Sequence, residues 1–133
     1  MGVPRLSAVL LIAALSGYCA ANPPPNLYTQ QQTRIYQTEN VEQTVIALSQ
    51  SAIALNATTG PTKLSDASTR LVRDFALAFD TWRGQYASGA ATFVQIRAVF
   101  SQLKQALAQD VNSANLNAAL AAVDAALTAI GGP

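Results

Sequence analysis

The side chains that could do chemistry in this 133-residue chain are few, and the largest group of them is aromatic. Phe75, Phe79, Trp82, Tyr86, Phe93 and Phe100 fall close together in sequence. Rings at helical spacing either pack a core or line an apolar pocket or partner surface. Core packing is the simpler reading, with Trp82 and Tyr86 anchoring the adjoining loop and the rings meeting at one end of a bundle. A ligand or partner surface built from the same six rings is the sharper one. The carboxylates offer less. Glu39 and Glu42 lie three positions apart and share one helix face. That spacing suits an exposed polar surface and could supply only a weak divalent-cation or acid/base pair. Asp74 and Asp80 lack the spacing for a common face. Asp124 stands among alanines and is expected on the outer side of its helix, or paired with an arginine if it is buried.

What is missing narrows the chemistry further. There is no histidine, which removes the Glu-x-x-His ligands of bundle di-iron sites, most zinc sites, histidine-ligated haem and histidine general bases. The sole methionine is Met1 and the sole cysteine is Cys19, so the body of the chain has no thiolate nucleophile and no sulfur ligand. Glycine-rich phosphate loops, calcium loops and Ser-x-x-Lys pairs do not occur. The residues point to a non-enzyme with no metal and no cofactor.

Charge excludes another class. The formal net charge is +1, and Arg34, Lys63, Arg70, Arg73, Arg83, Arg97 and Lys104 are scattered among acids. Nucleic acid, which selects a basic patch or stripe, is not expected as a partner. Arg70 and Arg73 are the one close pair, and Asp66 and Asp74 sit one helical turn from Arg70, as on a solvated face. Charged residues make up 11% of the chain, about half the usual share. A surface so lightly charged goes with self-association or with contact to a partner protein.

The N-terminus carries an address. Arg5 precedes an apolar run from Leu6 to Leu15, followed by the small-residue zone Ser16 to Ala21 and then Pro23-Pro24-Pro25. Positive start, apolar core and cleavage region are the three parts of a bacterial export signal. The apolar core of about 10 residues falls well short of the ~20 a bilayer span needs, so removal is expected rather than retention. Within it, Leu15-Ser16-Gly17-Tyr18-Cys19 resembles the lipobox of bacterial lipoproteins, a likeness confined to the signal segment. The resemblance implies cleavage before Cys19, lipidation of that cysteine and attachment to the membrane through the lipid. Tyr18 departs from the family's pattern, which has a small residue there. The competing cut uses Cys19 and Ala21 as the small residues of an A-x-A-like site and releases a periplasmic or secreted protein from Asn22. With one cysteine, no intramolecular disulfide forms.

These features sit on a chain that divides as an export signal over residues 1–21, a proline-rich, extended tether over 22–27 and a helical bundle domain over 28–133. About 110 residues outside the signal suffice for one domain with a single core. Hydrophobic periodicity reads as helix nearly throughout. One stripe runs Val41, Val45, Leu48, Ala52 and Leu55, widened by Ile46 and Ile53, and ends in the turn from Asn56 to Pro61. A second runs Leu64, Leu71, Phe75, Ala78, Trp82 and Tyr86, flanked by Val72 and Phe79, with Ser65 or Thr62 as N-cap and Gly89 as a left-handed stop. Gly84 lies within its last turn. The third runs Phe93, Ile96, Phe100, Leu103 and Leu107, with Thr92 as cap. The fourth runs Leu116, Leu120, Val123, Leu127 and Ile130.

The register breaks between the third and fourth stripes, where Asp110, Asn112, Ser113 and Asn115 supply turn chemistry, so a tight turn is predicted near Asn112. The segment Ala118 to Ile130 is short and interrupted by Asp124, and no membrane span is expected there. Four amphipathic helices with short loops predict an all-α, up-and-down antiparallel four-helix bundle. The alternative is a three-helix bundle with one long bent C-terminal helix. The function expected is that of a small exported envelope protein acting by contacts with an envelope partner or with itself. The alternative is a bundle that binds a small apolar or lipid-like ligand.

Overall fold

The computed structural model describes residues 25–131, with side chains from Gln30 onward. Expectations placed on residues 1–24, including the signal, its cleavage site and Cys19, lie outside the described residues. The chain divides into two units, Met1–Gln32 and Thr33–Pro133. Of the first, the described part is helical and forms the start of the first helix; the packing described below concerns the second.

Among the described residues there are four α-helices and no strand: α1 (Pro25–Ala57), α2 (Asp66–Ala87), α3 (Phe93–Leu107) and α4 (Asn117–Gly131). A 3-10 segment, Val111–Leu116, leads directly into α4. α1 opens at Pro25, so residues 25–27, expected as tether, are helical. Proline at the first helical position gives up no hydrogen bond, because that N–H has no partner inside the helix.

α2, α3 and the 3-10 segment each start on a side-chain acceptor. The Ser65 hydroxyl accepts from the Ser68 N–H at 3.1 Å and so caps α2. At the head of α3 the Thr92 N–H donates to the Gln95 side-chain oxygen at 2.8 Å. The Asp110 carboxylate accepts from the Asn112 N–H at 2.9 Å and caps the 3-10 segment. The loops before α2 and after it turn on Gly60 (φ +100°) and Gly89 (φ +84°), backbone conformations that other residues seldom adopt.

Contacts between helices fix their directions. Arg83, late in α2, bonds to Thr38 and Glu42 early in α1, while Asn56 at the end of α1 bonds to Asp66 at the start of α2. Trp82 reaches Thr92 at the head of α3, and Asp110 beyond the end of α3 returns to Ser68 at the head of α2. Arg97 near the start of α3 holds Asp124 and Thr128 late in α4. Successive helices are therefore antiparallel, and the all-α bundle expected from periodicity is the fold.

The core repeats the stripes: Val41, Val45, Leu48 and Ala52 from α1, Val72, Phe75, Phe79 and Trp82 from α2, Ile96, Phe100, Leu103 and Leu107 from α3, and Leu116, Leu120, Val123 and Leu127 from the last segment. Four details differ from expectation. Ile46 and Ile53 do not widen the core but stand 43% and 54% exposed. Leu71 and Ala78 are exposed and Ser68 and Thr69 are buried instead. Phe75 and Trp82 meet α3, and Arg83, on the same side of the helix as Val72 and Phe79, meets α1, which leaves Leu71 and Ala78 at the outer edge of the α2–α3 contact. Leu64 is buried in the loop before α2 rather than on the helix. The turn after α3 falls at Ala108 to Asp110, and Asn112 already lies in the 3-10 segment.

By length and composition Val111–Gly131 could cross a membrane, with a mean hydropathy of 1.3 over its most apolar stretch. In the bundle its leucines and Val123 fill the core and Asp124 pairs with Arg97.

Candidate functional site

The six aromatic rings do not meet at one end. Phe75 and Tyr86 are eleven positions apart on α2, about 16 Å along a helix, and the rings form a column. Phe75 packs against Phe100 with centroids 5.5 Å apart and planes tilted by 48°. Further along, Phe79 lies 5.7 Å from Trp82, and Trp82 stacks on Tyr86 at 4.7 Å and 17°. The Trp82 indole N–H donates to the Thr92 carbonyl at 2.8 Å, which ties α2 to the head of α3 and anchors the loop between them. Tyr86 lies 5.8 Å beneath the Arg34 guanidinium and donates its hydroxyl to the Gln37 side chain at 3.1 Å. Phe93 stands apart, under the Arg97 guanidinium at 5.7 Å and against Gly131, where any added Cβ would run into the ring.

The charged side chains with acid/base potential are occupied in joining helices. Glu39 and Glu42 share a face as expected, and both are directed to Arg83. Its guanidinium also donates from Nε to the Thr38 hydroxyl at 2.7 Å and from Nη2 to the Ile35 carbonyl at 3.4 Å. Asp124 is not a free outer carboxylate: it pairs with Arg97, whose second nitrogen donates to the Thr128 hydroxyl at 2.6 Å.

Asp110 is the most perturbed group, held down at about 2 by the Ser68 hydroxyl first, then by the Asn112 N–H and the Ser65 hydroxyl. One carboxylate oxygen accepts from the Ser68 hydroxyl at 2.7 Å and the Ser65 N–H at 3.2 Å, and the other from the Asn112 N–H. Asp66 is also lowered, by the Asn56 amide first and then by the charge of Lys63. Among the described residues no three of His, Cys, Asp or Glu come together to hold a metal ion.

What remains is a surface. Two adjoining depressions of about 360 Å³ each run along the outside of the α2–α3 contact and share Ala78 and Val99. The first is lined by Leu71, Phe75, Leu103 and Ala106 with Asp74 and Gln102 at its rim. The second is lined by Trp82 and Ile96 with Thr81, Gln85 and Gln95 at its rim. The floor is apolar, the rim is neutral apart from Asp74, and both are open to solvent. A third depression of about 350 Å³ between α3 and α4 is bordered by Lys104, Ser113, Asn117 and Asp124.

Of the predicted aromatic site residues, Phe75 and Trp82 reach the α2–α3 face. Phe79 and Phe100 are wholly internal, and Tyr86 and Phe93 contribute to the helix joints. Leu71 and Ala78, which spacing places on a core stripe, belong to the face, and so does Val99. The usable signal was the width of the second stripe: Leu71, Phe75, Ala78 and Trp82 with Val72 and Phe79 alongside is broader than one buried face requires.

No family model matches this chain, and no curated protein or solved structure is similar to it.

Proposed function

We propose that this is a small non-enzymatic protein exported to the bacterial envelope, which acts through protein contacts made by the face between α2 and α3. The observation that carries the reading is the open apolar groove along that face. Arg83, Arg97, Glu42, Asp110 and Asp124 are spent on joining helices. The α2–α3 face offers a continuous apolar floor with amide and hydroxyl groups around it. Interfaces between proteins have this composition, with an apolar centre, few charges and a polar rim. An open groove gives a small apolar ligand little of the enclosure such ligands require. Export is supported by the signal layout of residues 1–21, and attachment to the membrane by the lipobox-like segment ending at Cys19.

A photo-crosslinking residue placed at Val99 and, separately, at Ala122 on the exposed side of α4 tests the contact in intact cells. Crosslinks are expected from Val99 and not from Ala122; crosslinks from neither, or from Ala122 alone, count against the reading. The mass of the mature N-terminus tests the anchor. A diacylglyceryl-modified Cys19 supports lipid attachment, and a chain starting at Asn22 rules it out.

A further inference from the structure

We infer that a second copy of this chain covers the α2–α3 face, packed about a two-fold axis that crosses the helices at Ala78 and Val99. The inference rests on reading that face as a contact surface and names its partner. Charge is the first argument. Residues 33–131 hold seven basic and seven acidic side chains, so two copies meet without net repulsion. The face itself holds one formal charge, Asp74; the rest of its rim is hydroxyl and amide. Amides donate and accept equally well, so they pair with copies of themselves.

Geometry is the second argument. Ala78 and Val99 are shared by both halves of the groove, and a methyl side chain at the crossing lets two helices approach to about 8 Å. An antiparallel pair of α2 helices crossing at Ala78 sets Asp74 opposite position 82 of the other copy. There the Thr81 hydroxyl and the Gln85 amide flank it and can donate to it. The two Asp74 carboxylates are then about 12 Å apart along the axis, eight positions of helical rise, which avoids like-charge contact. Thirteen residues line the face, against the 20–30 per side of a standard stable interface. The dimer is therefore weak, with a Kd roughly between 1 μM and 1 mM.

Sedimentation equilibrium on the exported chain carrying Cys19→Ser, which removes the lipidation site, tests this between about 10 μM and 1 mM, a range set by that affinity. Self-association is expected in the parent and in Ala122→Arg, and is expected to vanish in Ala78→Arg with its helical circular dichroism unchanged. Two exposed substitutions keep the test decisive if Ala78→Arg misfolds. Gln85→Glu brings a second negative charge to Asp74 of the other copy and is expected to weaken association about three- to tenfold, and Gln85→Lys to strengthen it by a similar factor at low salt. A parent that stays monomeric to 1 mM, or two Gln85 variants that behave alike, overturns the inference. A monomeric protein that still crosslinks to another protein from Val99 in cells overturns the second copy and leaves the contact face standing. A monomer with no crosslink from Val99 overturns both.

Discussion

Asp110 holds the heads of two helical segments with one carboxylate. One oxygen serves the Ser65 N–H and the Ser68 hydroxyl at the start of α2, the other serves the Asn112 N–H at the start of the 3-10 segment. Because these donors favour the ionised form, the folded chain binds this proton more weakly than the unfolded chain does. The resulting stability is complete above the unfolded value near 4 and is lost as the pH falls through about 2. Asp110→Ala is expected to cost about 1–2 kcal/mol at neutral pH, the loss of a strong cap. Urea midpoints measured from pH 7 down to pH 2 should show parent and variant converging in acid.

The glycines make an opposite pair of predictions. Gly84 is helical and a Cβ there meets nothing within 4 Å, so Gly84→Ala should stabilise by up to about 1 kcal/mol. Gly89 sits at φ +84°, with the Arg34 guanidinium 3.1 Å from where its Cβ would be. Gly89→Ala should therefore lower the melting temperature that Gly84→Ala raises.

At the scale of elements, α2 bears the most load. It meets α1 through Arg83, α3 through Phe75 and Trp82, and the turn after α3 through Ser68. Phe79 is 0% exposed at its centre, and Phe79→Ala is expected to cost about 3–5 kcal/mol, a large part of the stability of a domain this size. Leu77, two positions away and 61% exposed, should change stability by less than about 0.5 kcal/mol when cut to alanine. Denaturant unfolding of the two variants separates core from surface on one helix.

The same helix marks how far the sequence could be read. Four stripes at three- and four-residue spacing gave the helices, and the caps Ser65 and Thr92 and the stop at Gly89 were legible because capping and left-handed turns demand particular residue types. Which side of a wide stripe faces the core was not legible. Leu71 and Val72 are equally apolar, and only the placement of the neighbouring helices decides between them. The joints were hidden for a related reason: Arg83 meets Glu42 across 41 positions and Arg97 meets Asp124 across 27, distances at which local spacing carries no information. Of the α2–α3 face, Phe75 and Trp82 stand among the candidate partner-surface rings, whereas Leu71 and Ala78 show only as excess width in one stripe.

For the whole molecule, balance of charge is the governing property. A domain with equal numbers of acids and bases sets up little long-range field to steer a charged partner or to hold copies of itself apart. On the proposed function, a partner is then held by short-range fit, which the α2–α3 face can supply and the helix joints cannot. The joint at Asp110 has one more consequence, in time rather than in energy. It links residues 42 and 45 positions apart, whereas the α2–α3 turn closes across the ten positions from Trp82 to Thr92. Long closures are reached after short ones, so Asp110 is expected to engage after the α2–α3 turn that it spans has formed. Stopped-flow measurements on Asp110→Ala should find refolding at the parent's rate and unfolding accelerated about five- to thirtyfold, nearly the whole of the lost stability. On that expectation the carboxylate is a latch, closing after the turn it spans and setting how long the folded molecule lasts.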